Sequence, residues 1–347
     1  MSPATAVRPR VERARAIPLL IPMAGGRRYQ ATVLVLDAEG LTGLGEAPAL
    51  PARGHPPEQV QADAEAAAAG LESGGPVSPR LAPVRCAVET ALLDLEARAA
   101  GAPLARLLGD ARRDGVDCNA LVGSAGPARV AAEVESWASG GFTTFKLKSF
   151  DQGGPADLER LGAARWAAGV MGRIRLDFNG GMPPTAAPAA IAGLGHLRLD
   201  LAEQPLPADA GIHWWRRLAE IGLPLAADES LGDPRLAGFL CDEEVCLAIK
   251  VATVGGPGAS LRLAARATGP VLIASSYETS IGLAAGLHAA CALRRDPPAC
   301  GLATRHLLEA DIATGLAAGG PRLALPGGSG LGVELDRGAL ARYRRDT

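Results

Sequence analysis

The chain has 347 residues, of which 48% are hydrophobic and 21% charged, and its formal net charge is −2. This length exceeds what one hydrophobic core usually supports, so two domains are expected. The near-neutral charge argues against a nucleic-acid-binding surface, which needs clustered Lys and Arg. No apolar run reaches the roughly 18 residues of a membrane span. We therefore expect neither a nucleic-acid nor a membrane partner.

The cysteines and the N-terminal stretch indicate a cytoplasmic protein. The 6 cysteines include no C-x-x-C pair, so neither a zinc ribbon nor a redox motif is present, and reduced cytosolic thiols fit best. The N-terminal stretch is basic, but Pro18 and Pro22 break its apolar part, which argues against a secretory signal. The sequence is compatible with a monomer or a homo-oligomer.

The first part of the chain predicts an α+β domain. Segment 31–47 alternates in the manner of a hairpin, with a turn at Glu39–Gly40. Helices are predicted at 57–73 and 84–101, where apolar side chains recur at helical spacing. A hairpin followed by helices is a plausible separate unit, and we assign it residues 1–110.

The second part of the chain, residues 111–315, alternates short apolar runs with Ala-, Leu- and Arg-rich helical stretches. The apolar runs are VDCNALVG, TTFKLKS, RIRLDFN, LDLAEQP, PLAADES, LAIKVAT, VLIASSY and ACGLATRHL. Strand–helix alternation predicts a parallel sheet, and eight units predict a closed (β/α)8 barrel. A doubly wound sheet is the alternative, but it normally has fewer strands, and the chain lacks the G-x-G-x-x-G turn that often follows its first strand.

Polar residues interrupt the ends of successive predicted strands, although a barrel strand buried on both sides should be nearly all apolar. These residues are Lys146, Lys148, Asp177, Asn179, Glu203, Asp228, Glu229, Lys250, Ser275, Ser276 and Glu278. They recur about once per β/α unit, so they should converge at one mouth of the barrel. In this fold, that mouth carries the active site.

Three carboxylates on adjacent predicted strands, Asp177, Glu203 and Asp228, predict a divalent cation. Packed together without a counter-charge, they would raise one another's pKa and destabilise the fold. Oxygen ligation without His or Cys is typical of Mg²⁺, for which Mn²⁺ can substitute. Pairing of each acid with a neighbouring Lys or Arg is the alternative explanation.

Lysines flank these acids. Lys146 and Lys148 share one face of the second strand, and Lys250 comes from the sixth strand, beyond the acid-bearing strands. A lysine near other cations in a partly dry pocket has a lowered pKa and can act as a base near neutrality. A salt-bridge role is the alternative. A cation that stabilises an enediolate, with an amine that removes the α-proton of a carboxylate, is the chemistry these parts favour.

Six short motifs, taken in order and spacing, resemble the muconate-lactonising-enzyme branch of the enolase superfamily. They are FKLK (145–148), LDFNGG (176–181), AEQPL (202–206), ADES (227–230), IKVATVGG (249–256) and SSYETSIG (275–282). The resemblance implies a capping domain completed by the C-terminal segment, 316–347. It also implies Mg²⁺ ligation by Asp177, Glu203 and Asp228, with Lys148 and Lys250 as acid–base groups.

Within that branch, the end of the barrel is similar to the actinobacterial o-succinylbenzoate synthases. Dipeptide epimerases carry an acidic pair on the eighth strand, where this chain has Ala303 and Thr304. The similarity implies syn-dehydration of a succinyl-bearing hydroxycyclohexadiene carboxylate (SHCHC), a step of menaquinone biosynthesis. The alternatives within enzymes are N-acylamino-acid racemisation, which uses the same metal and lysines, and the reaction of another muconate-cycloisomerase-like enzyme of the superfamily. A non-catalytic barrel that binds an acidic metabolite is the alternative outside them.

The residues expected to bind the substrate are Lys146, Asn179, Ser275 and Ser276. The two serines offer hydroxyls to the succinyl group, although strand-end turn formation explains them equally well. Arg27 and Arg28 precede the first long strand, where relatives place a mobile capping loop. They are weaker candidates, because adjacent arginines are commonly just solvated.

Overall fold

The computed structural model describes residues 9–109, 111–123 and 125–345. Its first part is an antiparallel sheet of order β1-β2-β3, accompanied by helices. The elements are β1 (Arg13–Pro22), β2 (Arg28–Ala38), β3 (Leu41–Pro48), α1 (Pro57–Ser73), α2 (Ala82–Ala99) and α3 (Leu104–Leu108). The start of the basic N-terminal stretch, residues 1–8, lies outside the described residues.

The predicted hairpin and both predicted helices are confirmed. Glu39 and Gly40 have φ values of 50° and 77°, the two positive values that a type I′ turn requires. β1 is absent from the sequence-based prediction, which considered Pro18 and Pro22 only as evidence against a secretory signal. The strand runs through both prolines at the edge of the sheet, where a missing N–H is tolerated.

A parallel sheet of seven strands curls into the barrel, in the order β11-β10-β9-β8-β7-β6-β5. Its elements, with the preceding β4, are β4 (Gly115–Asp117), β5 (Ala120–Val122), α4 (Pro127–Ser139), β6 (Thr144–Lys148), α5 (Pro155–Ala168), β7 (Arg173–Asp177), α6 (Ala187–Gly193), β8 (Leu201–Glu203), α7 (Ile212–Ala219), β9 (Leu225–Ala227), α8 (Pro234–Cys241), β10 (Cys246–Lys250), α9 (Val251–Val254), α10 (Pro257–Arg266), β11 (Val271–Ala274) and α11 (Ser280–Ala292). The predicted barrel with an α+β cap is confirmed.

The eighth predicted run does not form a regular strand. Cys300 and Gly301 make only single parallel bridges, to Cys118 and Ala274 respectively. A short 3-10 helix at Arg305–Leu307 begins a few residues later, so the extended segment is short. These two residues nevertheless close the gap between β11 and β5, so the barrel is complete.

The C-terminal segment packs back on the first part of the chain. Its elements, after β12 (Ala313–Thr314) at the end of the barrel part, are β13 (Arg322–Ala324), β14 (Glu334–Leu335) and α12 (Arg337–Tyr343). β13 pairs with β4, and the backbone N–H of Leu104 donates to the carbonyl of Gly330 at 2.8 Å. Leu331 and Val333 share a buried cluster with Val33 of the sheet. The domain limits at 110 and 315 remain predictions.

Two glycines of β3 allow α2 to lie directly against the sheet. A Cβ atom at Gly43 would stand 2.3 Å from the carbonyl oxygen of Ala91, and one at Gly45 would stand 2.0 Å from that of Ala87. No helix among the described residues is both long and apolar enough to cross a membrane.

Candidate active site

The carboxyl ends of the barrel strands bring the predicted charged residues together. In the parallel register, Lys148 on β6 is opposite Asp177 on β7, and Asp177 is opposite Glu203 on β8. Asp228 directly follows β9, and Lys250 ends β10. Because each side chain leaves its strand at the same mouth, the structure places all five in one site.

Two lysines of β6 hold the first two carboxylates. Lys146 Nζ lies 3.0 Å from Asp177 Oδ2 and 2.5 Å from Glu203 Oε1. Lys148 Nζ donates to Asp177 Oδ2 and to Asn179 Oδ1, both at 2.7 Å. Asp177 is therefore shared by both lysines, whereas Glu203 is paired with Lys146.

The third carboxylate is held from the opposite side of the site. Lys250 Nζ donates to Asp228 Oδ2 at 2.6 Å. Arg53, from the short 3-10 helix after β3, donates to both Asp228 oxygens at 2.9 and 3.0 Å and to Glu229 at 3.0 Å. Sequence analysis did not identify Arg53, because a lone Arg in a loop of the cap carries no pattern linking it to the barrel.

Burial and charge shift the carboxyl groups in different directions. Burial alone would raise the pKa of Asp177, but Lys146 and Lys148 outweigh it and hold the pKa well below its usual range. Burial raises the pKa of Glu203, and the nearby charges of Asp177 and Asp228 add to that rise against the pull of Lys146. The raised pKa of Glu203 thus reflects burial first, and then the two carboxylates within electrostatic reach of it.

The expected lowering of the lysine pKa is wrong for Lys146 and Lys250. Burial lowers the pKa of both groups, but the facing carboxylates outweigh it: Asp177 and Glu203 raise the pKa of Lys146, and Asp228 raises that of Lys250. Sequence spacing indicated that cations would be near one another. It could not show that each ammonium contacts a carboxylate directly.

Strained backbone follows several of these strand ends. Asn179 and Gln204 adopt φ values of 45° and 41°, and Tyr277 adopts 71°. Positive φ is unfavourable for residues other than Gly and persists where surrounding contacts enforce it, commonly at functional sites. Asn179 also donates from Nδ2 to Glu229 at 3.2 Å, so its amide connects the two sides of the site.

The two predicted serines differ in their surroundings. Both lie just beyond Ala274, the register partner of Lys250. Ser275 Oγ is hydrogen-bonded to Thr304 Oγ1 at 2.7 Å, whereas Ser276 Oγ is buried without a partner among the described residues. The Ser275 hydroxyl is therefore already used, whereas that of Ser276 has no hydrogen-bond partner among the described residues.

Of the weaker candidates, Arg27 and Arg28 are both exposed. The guanidinium carbon of Arg27 stands 6.0 Å from the ring centroid of Tyr277, which follows Ser276. Arg28 begins β2. Arg27 therefore lies over the loop that carries Ser276, and a substrate role for either arginine remains a prediction.

The carboxylate set fits a hard divalent cation in its chemistry. It supplies only oxygen donors from three neighbouring strands, with mutual repulsion visible at Glu203. Glu229 Oε2 is buried without a partner in the described part of the chain. In that same part, no group of three or more His, Cys, Asp or Glu side chains is arranged to hold a metal ion. The carboxylate oxygens instead contact Lys146, Lys250 and Arg53.

The fold and site agree with a family match. Residues 129–339 match the enolase C-terminal domain-like family. The chain belongs to this family, and with it to the enolase superfamily of enzymes.

The relatives refine this assignment. A Thermobifida fusca protein named o-succinylbenzoate synthase is 40% identical over 204 residues, covering 58% of this chain and 63% of that protein. A Mycobacterium bovis protein of the same name is 35% identical over 205 residues, covering 58% and 61%. The aligned region thus spans less than two thirds of these relatives.

Solved structures extend the likeness to nearly the whole chain. The muconate lactonizing enzyme of Pseudomonas putida superposes with a TM-score of 0.87 and 28% identity, covering 96% of this chain and 99% of that one. The L-Ala-D/L-Glu epimerase of Bacillus subtilis superposes with a TM-score of 0.82 and 24% identity, covering 93% and 98%. The latter match shows a shared fold alone.

Proposed function

We propose that this chain is a Mg²⁺-dependent o-succinylbenzoate synthase that acts on a small carboxylate, SHCHC, in the cytoplasm. The observation that carries the proposal is the placement of Lys148 and Lys250 on strands β6 and β10, with Asp177 on β7, Glu203 on β8 and Asp228 directly after β9 between them. The names of the relatives favour this reaction over others that use the same arrangement.

The carboxylates of Asp177, Glu203 and Asp228 would hold the cation. When bound, Mg²⁺ supplies positive charge that offsets the negative charge developing on the substrate carboxylate as the α-proton leaves. Lys146, which contacts two of these acids, would keep them oriented and add positive charge beside the substrate.

Lys148 is the proposed base. Its Nζ is held at 2.7 Å by both Asp177 and Asn179, so its position is fixed from two directions. As the free amine it would take the α-proton of SHCHC. The resulting ammonium would return that proton to the departing hydroxyl on the same face, which releases water and leaves the aromatic product. Lys148 therefore takes up one proton and gives it back, so no second acid or base is needed.

Lys250 is the proposed electrostatic partner. Burial alone would lower the pKa of Lys250, but the Asp228 carboxylate outweighs burial and raises the pKa, which favours the ammonium form. From the other side of the site, this ammonium would stabilise the carbanionic intermediate without exchanging a proton. Ser276, whose buried hydroxyl has no partner among the described residues, would bind the succinyl carboxylate.

The test uses purified protein in D₂O with SHCHC and, separately, with an N-acylated amino acid. Rapid formation of the aromatic product, with little α-deuteration of the amino acid, is expected. Lys148→Ala should abolish product formation, and Lys250→Ala should slow it by several orders of magnitude. Rapid deuteration of the amino acid with negligible dehydration of SHCHC would instead establish the racemase alternative, in which each lysine serves one enantiomer.

A further inference from the structure

Gln204 joins the two strand ends that carry Glu203 and Asp228. Its side chain is fully buried, with 0% of its surface exposed. Oε1 accepts from the backbone N–H of Asp228 at 2.9 Å and of Ser230 at 3.2 Å. Nε2 donates to the carbonyl of Leu206 at 2.7 Å and to Ser230 Oγ at 2.8 Å. Every hydrogen-bonding position of the amide is thus used.

The backbone of Gln204 extends this link to both neighbouring strand ends. Its N–H donates to the carbonyl of Ala226 on β9 at 2.7 Å, and its carbonyl accepts from the N–H of Gly180, beyond β7, at 2.8 Å. The residue holds a φ of 41° while making these bonds. An unfavourable backbone angle persists only where several contacts impose it together.

Only an amide matches this environment. Two backbone N–H groups point at Oε1 and require an acceptor, whereas the Leu206 carbonyl requires a donor. A carboxylate at position 204 would face the carbonyl with an acceptor, and an apolar side chain would leave the N–H groups unsatisfied. The glutamine side chain supplies both the acceptor, Oε1, and the donor, Nε2, at the required distance from the backbone.

We propose that Gln204 is a positioning residue that sets the spacing of the Glu203 and Asp228 carboxylates for a divalent cation. The inference rests on the proposed metal site. Gln204 acts through the backbone of Asp228 and through its own chain neighbour Glu203, and donates no ligand atom. Groups that orient metal ligands commonly contribute about 10- to 100-fold to metal affinity.

The experiment measures Mg²⁺ binding by calorimetry on the metal-stripped full chain, without substrate. Gln204→Met keeps the length of the side chain and removes all four bonds, and Gln204→Asn keeps the amide but shortens its reach. Both should bind Mg²⁺ about 10- to 100-fold more weakly than the wild type. Ser230→Ala removes a single partner and should weaken binding by about 2- to 10-fold.

The control is Asn119, a buried amide beside the amino end of β5, at the opposite mouth of the barrel. Asn119→Ala should lower the melting temperature in EDTA but leave Mg²⁺ affinity unchanged. Wild-type affinity, within about twofold, in a folded Gln204 variant would overturn the inference. If neither Gln204 variant folds, unchanged affinity in Ser230→Ala overturns it. A wild-type protein that binds no Mg²⁺ at millimolar concentration would instead defeat the proposed metal site itself.

Discussion

Lys146 is the residue on which two of the three carboxylates converge, through contacts of 2.5 and 3.0 Å. With Lys250 and Arg53 at the third carboxylate, every acid of the candidate site has a cationic partner. The alternative considered from sequence, acids paired with nearby bases, therefore coexists with a set of oxygen donors suited to a cation. Substitution of a single acid distinguishes a cation ligand from a residue that serves only in an ion pair.

Asp228→Asn removes one full charge from the proposed cation site. We expect Mg²⁺ affinity to fall by more than about 100-fold, because loss of supporting groups alone can reach that value. Calorimetry and activity assays with and without EDTA measure the effect. Asp233→Asn is the control, since Asp233 caps α8 through the N–H of Arg235 and lies outside the site. Full wild-type activity in excess chelator would contradict the metal proposal.

The two serines give a second comparison of single residues. Ser276→Ala removes a buried hydroxyl that has no partner among the described residues, so stability should change by less than about 0.5 kcal/mol while KM rises about 10-fold. Ser275→Ala breaks the bond to Thr304 and should cost about 1 kcal/mol. Urea unfolding and steady-state kinetics measure both effects. An unchanged KM in Ser276→Ala would remove this residue from the substrate site.

At the residue level, the convergence of the charged side chains could be predicted, because they recur with the strand period. Lys148, Asp177 and Glu203 follow one another at the spacing of β/α units, so one mouth of the barrel could be expected to collect them. Arg53 and Gln204 were not identified from the sequence as residues of the site, for different reasons. Arg53 arrives from a distant loop, and the role of Gln204 depends on backbone N–H groups of the next strand end, which sequence does not display.

At the scale of elements, the contact between α2 and β3 depends on missing side chains. Gly45→Ala would place a methyl group 2.0 Å from the Ala87 carbonyl oxygen, so the helix must move. We expect a loss of about 3 kcal/mol of unfolding free energy. Gly162→Ala is the control, because this α5 glycine has open space and alanine favours helix, with an expected gain of about 0.5–1 kcal/mol. Equal urea midpoints for both variants would contradict this account.

Element prediction worked best for segments with a single strong pattern. The turn at Glu39–Gly40 and helix α1 were placed correctly, because turn residues and helical spacing are local properties. β1 and the eighth barrel segment were not, because their structure is decided by partners. A proline-containing edge strand needs β2 beside it, and Cys300 and Gly301 need β5 and β11 on either side.

At the scale of the whole molecule, His288 joins three regions. Its Nδ1 accepts from the backbone N–H of Ala105 at 3.0 Å, which makes Nε2 the protonated atom that donates to the Leu331 carbonyl at 3.1 Å. Burial lowers its pKa to about 4. Since the folded pKa lies below the unfolded value, this contribution to stability is complete above about pH 6.5 and is lost as pH falls towards 4.

His288→Gln tests this linkage. The stability gap between wild type and variant should shrink by up to about 3 kcal/mol as pH falls from 7 to 4. The difference in unfolding free energy between wild type and variant is the proper measure, because other buried groups titrate in the same pH range. Burial raises the pKa of Asp94 to about 6 and that of Glu278 to about 7. Protonation of those carboxyls stabilises the folded state at low pH, and this stabilisation is lost as the pH rises. A gap that stays constant across the range would show that His288 does not titrate as described.

The closure of the barrel through Cys300 and Gly301 has a consequence for synthesis on the ribosome. The backbone N–H of Cys300 donates to the Asp117 carbonyl, and that of Asn119 donates to the Cys300 carbonyl, at 2.7 and 2.9 Å. The backbone between β4 and β5 therefore pairs with residues encoded near the far end of the barrel. The ribosome synthesises the N-terminal part of the chain first, so the barrel can close only after almost all of it has been translated. Until then, the open edges of β5 and β11 are the surfaces that a chaperone would have to shield.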